Sequence, residues 1–365
     1  MLRSYYMPTG LRLALRSTRV KFLLLWTFIA ICLSFSFYVT WQGSYFDKAT
    51  LLKGLLHSDR LLDDLSKAAQ NETLGFEKIF YISMPHRQDR QDSMTMLATS
   101  TNIRLILQNG VDGNTVHEKA RPKGSQALRP EQLGCWRSHA NVWRTIINER
   151  IQTAIILEDD ADWDVRVHDI FQNLSLQMRE RTAREGELRS HDANAPYGLD
   201  WDLLYVGTCW NINPEVRPVP HIYQDINAPN STEISFAYQK ELEYWGASSS
   251  ENTRVRVIAP SWYPVCTVGY AVTLKGAQKL LYTVGNEKGL DAPVDLAMIS
   301  RIQSGHLKSL TVVPPLVTPW KTGTTSDSDI DDLNKAEGEL PRGSDNLRLS
   351  GRRALAATLD KDFKD

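Results

Sequence analysis

Residues Thr153 to Asp160 read T-A-I-I-L-E-D-D. The four apolar residues 154–157 predict a short buried strand, and three carboxylates, Glu158, Asp159 and Asp160, follow it without a break. Because adjacent like charges repel and burial removes their hydration, such a cluster is tolerated where a cation neutralises it. Open α/β sheets bind ligands outside the carboxyl ends of their strands. The stretch therefore predicts a site where a cation could hold a diphosphate.

The surrounding sequence, from Phe76 to Trp320, alternates short apolar segments with amphipathic ones, which predicts an α/β domain. Its clearest helix covers 131–150, where apolar residues recur every three or four positions. Further strands are predicted over 78–82, 104–107, 203–207, 267–273 and 310–313, and further helices over 89–98, 167–183, 275–284 and 293–304. The polar stretch 184–199 is interpreted as a surface insertion.

Residues 22–39 form an apolar segment without a charged side chain, close to the length that crosses a bilayer core. Five basic residues precede it, at positions 3, 12, 16, 19 and 21. We expect a single-pass, type II signal anchor, with 1–21 as a basic cytosolic tail and the rest on the lumenal side. The alternative is a cleaved signal peptide, whose apolar region is usually shorter.

Two polar regions flank the predicted catalytic domain, 76–320. The stem, 40–75, carries a run of leucines that favours either self-association into a homo-oligomer or a helix lying against the domain. The tail, 321–365, is polar and acidic, and we expect it to be partly ordered at most. Sequons at Asn71, Asn173 and Asn230 are consistent with a lumenal glycoprotein.

The bulk composition excludes some classes of partner. The net charge is −1, which gives no reason to expect nucleic acid. Beyond the apolar segment the chain has three cysteines, Cys135, Cys209 and Cys266. They permit one disulfide and a free thiol, or three buried thiols, and the sequence leaves the pairing open.

The acid cluster has oxygen ligands only, which suits Mg²⁺ or Mn²⁺. In an extended segment alternate residues share a face, so Glu158 and Asp160 should point together and Asp159 away from them. The alternative is an ordinary turn or helix cap. Among other acid-x-acid triplets, 162/164 lies close enough to contribute, 200/202 precedes its strand and so lies at the wrong end, and 327/329 falls in the tail.

Three further groups are candidates for chemistry. Arg87, Asp89 and Arg90 follow the first strand, where guanidinium groups could meet a diphosphate; a solvated turn is the alternative. His139 lies near the apolar stripe of the long helix, and a satisfied core histidine is the simplest interpretation. Asp291 and Asp295 flank a predicted helix start. Helix capping would explain one of them and leave the other to act as a base.

Taken together, these segments resemble glycosyltransferase family 25, the lipopolysaccharide-biosynthesis and collagen-galactosyltransferase type. The matching motifs lie in the family's order at 79–94, 111–113, 133–143, 154–161, 201–207, 269–281 and 292–295. The most specific part is the S-H helix followed by L-E-D-D. The signal anchor is similar to that of a Golgi glycosyltransferase, and the tail resembles fungal members.

The resemblance implies a GT-A-like, Rossmann-type nucleotide-sugar-binding fold, a UDP-sugar donor (typically UDP-galactose) and inversion at the anomeric carbon. It assigns Glu158 and Asp160 to the acidic metal-site motif and places six residues in motifs near the donor: Arg87, Asp89, Arg90, Asp112, Ser138 and His139. The first strand of the family usually ends I-N-L, whereas this chain has Ile82, Ser83 and Met84. The donor contact of that asparagine is therefore in question.

The sequence thus predicts a metal-dependent inverting hexosyltransferase with Glu158, Asp159 and Asp160 at the metal and Asp295 as the base, Asp291 being the second choice. The acceptor is a hydroxyl of a glycan, glycoprotein or glycolipid. One alternative is a catalytically inactive, membrane-anchored sugar-binding protein on the same fold. Another alternative is a metal-dependent phosphohydrolase. It would require several His or Asp ligands from different strands, and the 8 histidines of this chain are not clustered in the sequence.

Overall fold

The structure, a computed structural model, describes residues 64, 67–184, 195–248, 253–285, 289–322 and 343–362. The predicted cytosolic tail, the anchor at 22–39, most of the stem and the acid pair at 327/329 lie outside these ranges. Within the ranges, no helix has the length and apolar character needed to cross a membrane.

The described chain is built of short strands and seven α-helices. The strands are β1 Lys78–Ser83, β2 Ile106–Asn109, β3 Thr153–Glu158, β4 Ala161–Trp163, β5 Leu203–Gly207, β6 Trp210–Ile212, β7 His221–Gln224, β8 Val255–Pro260, β9 Tyr263–Val265, β10 Gly269–Thr273, β11 Ser309–Val313 and β12 Val317–Pro319. The helices are α1 Gln88–Ser100, α2 Pro130–Glu149, α3 Val167–Arg184, α4 Phe236–Trp245, α5 Leu274–Thr283, α6 Val294–Gln303 and α7 Gly351–Asp362.

Eight strands form one mixed sheet in the order β2-β1-β3-β10-β5-β11-β8-β7. The pairs β1–β2, β1–β3 and β5–β11 are parallel, and the other four are antiparallel. Two small sheets, β4–β12 and β6–β9, lie outside it. The observed architecture is therefore mixed α/β, as predicted.

Strand residues alternate between two hydrophobic cores, one on each face of the sheet. In β3, Ile155 and Leu157 join the core formed with α1 and α3, whereas Ala154 and Ile156 join the core formed with α2, α5 and α6. This alternation follows from the two-residue period of a strand. Because both faces are covered, the central strands are apolar throughout, as expected of a buried sheet between helices.

Most predicted elements are confirmed within two residues at their ends. Strand β2 begins at Ile106, two residues later than predicted, and β10 at Gly269. The prediction of a surface insertion is wrong for Tyr197, which is buried, stacks on Phe76 at 4.3 Å between ring centroids and donates to the carbonyl of Leu74 at 2.5 Å. Helices α4 and α7, strands β7 and β8 and the four three-residue strands were not predicted from the sequence.

The predicted stem and tail both contribute to the packed domain. Ala69 and Leu74, at the end of the stem, are buried in the core that contains α1. The segment 343–362, inside the tail, ends in α7, which packs against α1 and β4. The compact domain therefore extends beyond residues 76–320 in both directions.

Candidate active site

A cavity of about 440 Å³ opens at the carboxyl ends of β1, β2 and β3. Helix α1 leaves β1 on one face of the sheet and α2 leaves β2 on the other, so the chain changes direction between β1 and β3. Such a switch point forms the ligand crevice of open α/β sheets. The lining comes from the ends of the three strands, the loop after β2 and the first turns of α2: residues 82–84, 86, 90, 110–114, 130–131, 135, 138–139 and 158–160.

All three acids that follow β3 line this cavity. Burial, and after it the charges of Asp160, Asp159 and Asp295, raise the pKa of Glu158 to about 8, although a hydrogen bond from Thr267 acts in the lowering direction. Thr267 Oγ1 donates to Glu158 Oε1 at 2.6 Å. Asp159 instead accepts from Arg90 Nη1 at 2.5 Å, and Asp160 lies 3.7 Å from the same nitrogen.

The acid cluster at 158–160 is a candidate site for a divalent cation. Among the residues described, no three His, Cys, Asp or Glu side chains are arranged as a ligand set for one ion. Asp159 is already paired with Arg90, but Glu158 and Asp160 are close enough for the charge of one to raise the pKa of the other. Mg²⁺ or Mn²⁺ needs only one or two carboxylates when water and phosphate fill its other positions. Glu158 and Asp160 therefore fit such a cation, and Asp159 fits it less well.

The motif after β1 divides between the cavity and the surface. Arg90 lines the cavity, as does His86. Arg87 and Asp89 do not line it; they form a bidentate pair with N–O distances of 3.0 and 2.8 Å. The hydrogen bond from Arg87 lowers the pKa of Asp89 to about 2. Of the three residues predicted near the nucleotide, the structure brings only Arg90 to the acid cluster.

Ser83 stands where the family usually has asparagine, and its position answers the question raised by that departure. The side chain is buried and lines the cavity, and its Oγ has no hydrogen-bond partner among the described residues. A buried hydroxyl without a partner is costly. Ser83 can therefore supply a hydrogen bond to a ligand in the cavity, although with a shorter side chain than asparagine.

The V-D-G motif and the start of α2 approach each other closely because both carry glycine. A Cβ on Gly113 would lie 1.7 Å from the carbonyl oxygen of Pro130, and one on Gly134 would lie 2.2 Å from that of Val111. Ser138 Oγ joins the two segments by accepting from Val111 N at 2.9 Å and donating to Gly134 O at 2.8 Å. Ser138 therefore positions the loop.

The same loop carries Asp112, which lies exposed on the cavity wall and accepts from Asn114 N at 2.9 Å. Opposite it, α2 contributes Cys135, a free thiol whose pKa is raised by burial. The amino terminus of a long helix favours negative ligands through its dipole and free N–H groups. The wall formed by this loop and α2 therefore combines this helix dipole with the carboxylates of Asp112 and Glu131.

His139 lines the cavity but is held as a neutral core residue. Burial lowers its pKa to about 4. Its Nδ1 lies 3.0 Å from the Tyr270 hydroxyl, which also accepts from Trp143 Nε1 at 2.9 Å. Because Trp143 can only donate, all three groups are satisfied when the Tyr270 hydroxyl donates to His139 Nδ1. The ring proton is then on Nε2, and the predicted core role and the predicted cavity position are both met.

Of the two acids near the start of α6, only Asp295 approaches the cluster. Asp295 accepts from Cys266 N at 3.2 Å and from Leu296 N at 2.8 Å, and its charge raises the pKa values of Glu158 and Cys135. It does not itself line the cavity. Asp291 is exposed, and α6 begins after Pro293 without a side-chain cap. Asp295 lies in the first turn of α6 and bonds there only to the N–H of the next residue, so neither acid has the capping role that was expected of one of them.

Residues of the C-terminal segment, which were not predicted from the sequence, bond to the backbone and side chains around the acid cluster at 158–160. Arg352 in α7 donates through Nη2 to the carbonyl oxygens of Asp159 (3.3 Å) and Ala161 (2.9 Å). Asp162, which is fully buried, accepts from Ser344 Oγ and Ser350 Oγ at 2.6 and 2.5 Å. The 162/164 pair therefore anchors the C-terminal segment. The sequence signal was weak, because the two bonded segments are about 180 residues apart.

The other acid pair and the cysteines are also accounted for. Asp200 pairs with Arg181 at 2.7 Å and Asp202 with Lys279 at 2.5 Å, so this pair is structural, as its place before β5 suggested. Cys209 and Cys266 form a disulfide, which decides between the two alternatives.

The sequons differ in their accessibility. Asn71 is exposed. Asn173 is half-buried and donates to the Gln224 carbonyl at 3.1 Å, and Asn230 is 8% exposed with its oxygen accepting from Thr232 N. Asn71 is therefore the sequon best placed for modification.

The fold and the cavity define an α/β protein with an acidic ligand crevice at the switch point of its sheet. Residues 76–195 match the model of glycosyltransferase family 25 (LPS biosynthesis protein). This segment is therefore similar to glycosyltransferase family 25, and the resemblance to that family drawn from the motifs is confirmed, whereas the fungal-like and single-pass parts of it stay predictions. This segment contains β1, α1, α2 and β3 and with them the whole cavity lining.

Curated relatives extend the similarity along the chain. Procollagen galactosyltransferase 1 of Danio rerio is 25% identical over 240 residues, 62% of this chain and 31% of the relative. Procollagen galactosyltransferase 2 of Homo sapiens is 26% identical over 238 residues, 61% of this chain and 30% of the relative. Inactive glycosyltransferase 25 family member 3 of Homo sapiens is 24% identical over 221 residues, 57% of this chain and 29% of the relative. The chain thus spans less than a third of the length of these relatives.

Proposed function

We propose that this protein is an inverting hexosyltransferase that moves galactose from a UDP-sugar to an acceptor hydroxyl, on a GT-A-like fold. The observation that carries the proposal is the cavity at the ends of β1, β2 and β3, whose wall combines the acid cluster with Arg90 and Ser83. Its volume suits a small-molecule ligand. The relatives named as procollagen galactosyltransferases support the transferred sugar.

The donor site is assigned to the side of the cavity formed by β1, the V-D-G loop and α2. Arg90 offers positive charge to the diphosphate. Ser83 and Asp112 offer hydrogen bonds to the nucleoside part of the donor. Glu158 and Asp160 would hold Mg²⁺ or Mn²⁺, which supplies charge stabilisation for a departing diphosphate. Arg352 and Arg90 keep the acids in place by bonding to the backbone and to Asp159.

The base is assigned to Asp295. In a single in-line displacement the acceptor oxygen forms a bond to the anomeric carbon while the bond from that carbon to the diphosphate oxygen breaks. The electron pair leaves with the nucleoside diphosphate, and the hydroxyl proton passes to the carboxylate. Asp295 accepts two backbone hydrogen bonds, and each carboxylate oxygen retains a lone pair for this proton.

The proposal includes the cellular setting. We place the chain in the secretory pathway as a Golgi or ER single-pass protein with the catalytic domain in the lumen. The Cys209–Cys266 disulfide supports this, because disulfides persist in oxidising compartments, and Asn71 is accessible to glycosylation. Protease protection of the domain in intact microsomes, together with a mobility shift on deglycosylation that Asn71→Gln abolishes, tests it.

The experiment that tests the activity is nucleotide release by the purified full-length chain from a panel of UDP- and GDP-sugars, first with Mn²⁺ and then with EDTA. We expect slow, metal-dependent release of UDP from UDP-galactose. Calorimetric titration with UDP, with and without Mn²⁺, gives a readout that does not depend on turnover. Metal-independent release, or release from a GDP-sugar alone, would contradict the assignment.

A second function is favoured by one relative whose name marks it as inactive. The chain would then be a sugar-binding protein on a transferase fold, with Arg90 neutralising the acids in place of a metal. A protein that binds saccharides but neither UDP nor Mn²⁺ would establish this alternative. Tight, metal-dependent UDP binding would exclude it.

A further inference from the structure

The small two-stranded antiparallel sheet formed by β6 and β9 has two faces of opposite character. Its register pairs Trp210 with Val265, Asn211 with Pro264 and Ile212 with Tyr263. Because paired residues and alternate residues share a face, Trp210, Ile212, Tyr263 and Val265 lie on one side. Asn211 and Pro264 lie on the other. We call the first side the outer face and the second the inner face.

The inner face is packed against α4. Asn211 Nδ2 donates to both carboxylate oxygens of Glu241 in that helix, at 3.0 and 2.8 Å, and Pro264 is buried. Tyr238, one turn earlier in α4, donates to the Thr208 carbonyl at 2.7 Å just before β6. These contacts fix the β6–β9 sheet against α4, so the outer face keeps one orientation relative to that helix.

The outer face is apolar and open. Trp210 is 43% exposed and Ile212 is 48% exposed, and Tyr263 is half-buried beside them. The rings of Trp210 and Tyr263 are nearly parallel, at 19°, with centroids 6.3 Å apart, an offset that leaves part of each ring uncovered. An exposed surface strand is normally polar on its solvent side. Clustered aromatic exposure of this kind marks a ligand-binding surface.

Strand β9 runs directly into the segment that contacts the proposed catalytic residues. The Cys209–Cys266 disulfide joins the residue before β6 to the residue after β9. The backbone N–H of Cys266 donates to Asp295, and the side chain of Thr267 donates to Glu158. Val265, the last residue of the outer face, is therefore followed directly by the residue that bonds to the proposed base. The outer face lies on a different segment from the nucleotide side of the cavity.

The size and chemistry of the outer face select among acceptors. Strands of three residues are too short to template an added peptide strand, which is how extended peptides bind sheet edges. A sugar ring offers a face of C–H groups with partial positive charge, which complements the negative face of an aromatic ring, and two neighbouring rings match its size.

We propose that the outer face of the β6–β9 sheet binds the acceptor, and that the acceptor is a saccharide whose pyranose ring stacks on Trp210 and Tyr263. This deepens the proposed function and rests on it for the identification of the bound sugar as the acceptor. Trp210 is the residue that determines acceptor binding. The donor site, built from other elements, is independent of it.

The test uses saturation-transfer NMR on the full-length chain with methyl pyranosides of galactose, glucose and mannose as probes. We expect transfer to the C–H protons of at least one probe and about tenfold weaker binding in Trp210→Ala, with partial recovery in Trp210→Phe. The matched control is Trp262→Ala, which removes a similarly exposed tryptophan just before β9, and it should bind as the unaltered protein does.

Two outcomes overturn the saccharide proposal: no transfer to any probe, or transfer that Trp210→Ala leaves intact. A third is a procollagen peptide that binds through Trp210 when no pyranoside does. Probe binding that depends on Trp210, in a protein that binds no UDP, would retain the saccharide surface and remove the transferase. The two proposals therefore fail separately.

Discussion

Two groups of acids, 158–160 and 162–164, lie within seven residues of each other and have opposite surroundings. Glu158 and Asp160 face the cavity, where each raises the cost of ionising the other. Asp162 and Asp164 face inward and receive hydrogen bonds from the C-terminal segment, including two serine hydroxyls and the Leu349 N–H. The same acid-x-acid spacing thus serves a ligand crevice in one case and chain anchoring in the other, and the partners across the fold decide which.

The comparison predicts its largest effect at Asp160. Asp160→Asn removes a charge from the cavity and keeps the shape of the side chain, so we expect UDP-sugar turnover to fall about 1,000-fold, or ~4 kcal/mol, with a free energy of unfolding near that of the unaltered protein. Steady-state kinetics with Mn²⁺ and urea unfolding measure the two quantities. Near-normal turnover would remove Asp160 from the metal site.

Asp162→Asn should give the reverse result. The substituted amide cannot accept at both positions that now bind Ser344, Ser350 and the Arg352 N–H, so the free energy of unfolding should fall by about 3 kcal/mol. Asp169→Asn, an exposed acid in α3, is the control and should change stability little. A loss below about 1 kcal/mol for Asp162→Asn would mean that the C-terminal segment is anchored elsewhere.

Asp295→Asn should separate the base from the acid cluster. We expect UDP binding to persist while transfer falls about 100-fold, because general-base catalysis contributes at least that much. Asp291→Asn is the matched control, since Asp291 is an exposed acid in the same segment. Loss of UDP binding in Asp295→Asn, measured by calorimetry, would make Asp295 a structural residue instead.

Glu241 tests whether burial alone raises the pKa of a carboxylate in this fold. Burial raises its pKa to about 7, above the ordinary 4.5. Its contribution to stability is therefore complete below pH ~4.5 and is lost as the pH rises through about 7. The reason is that the unfolded state loses this proton readily above pH ~4.5, whereas the folded state keeps it until the buried carboxylate has to ionise. Glu241→Gln should be more stable than the unaltered protein by on the order of 2 kcal/mol at pH 8.

The two proteins should unfold alike at pH 4.5, where both side chains are neutral in the folded state. Urea midpoints at the two pH values measure the difference. A Glu241→Gln variant that is less stable at pH 8 would show that the ionised carboxylate is preferred by its surroundings.

The smallest predicted effects come from two hydroxyls, each bonded to one of the two acid groups. Thr267→Val removes the bond to Glu158 and should lower turnover about tenfold, the cost of a partner that orients a ligand, with stability little changed. Ser350→Ala removes a bond to Asp162 and should lower the free energy of unfolding by about 1 kcal/mol without affecting turnover. If both variants changed the same quantity, the contrast between the two acid groups would fail.

Much of the site could be predicted because it is local in sequence. The run 154–160 contains both the buried strand and the acids at its end, and the apolar period of 131–150 contains the helix that lines the cavity. Because β1 and β3 are parallel neighbours, the residues that follow each of them lie at the same edge of the sheet. Arg90, Ser138 and His139 are correctly placed at the cavity for the same reason, since they are within a few residues of these elements.

The sequence by itself determined the α/β class, the edge of the sheet at which the cavity opens and the acids that line it, because strand and helix periods and the carboxyl end of a strand are properties of short stretches. Only the tertiary structure decided that Asp159 pairs with Arg90, that Asp162 binds the C-terminal segment, and that Thr267 and Asp295 lie beside Glu158. These contacts join residues 69 to 188 positions apart. Burial and charge compensation at such distances depend on how the whole chain packs, and no local pattern encodes them.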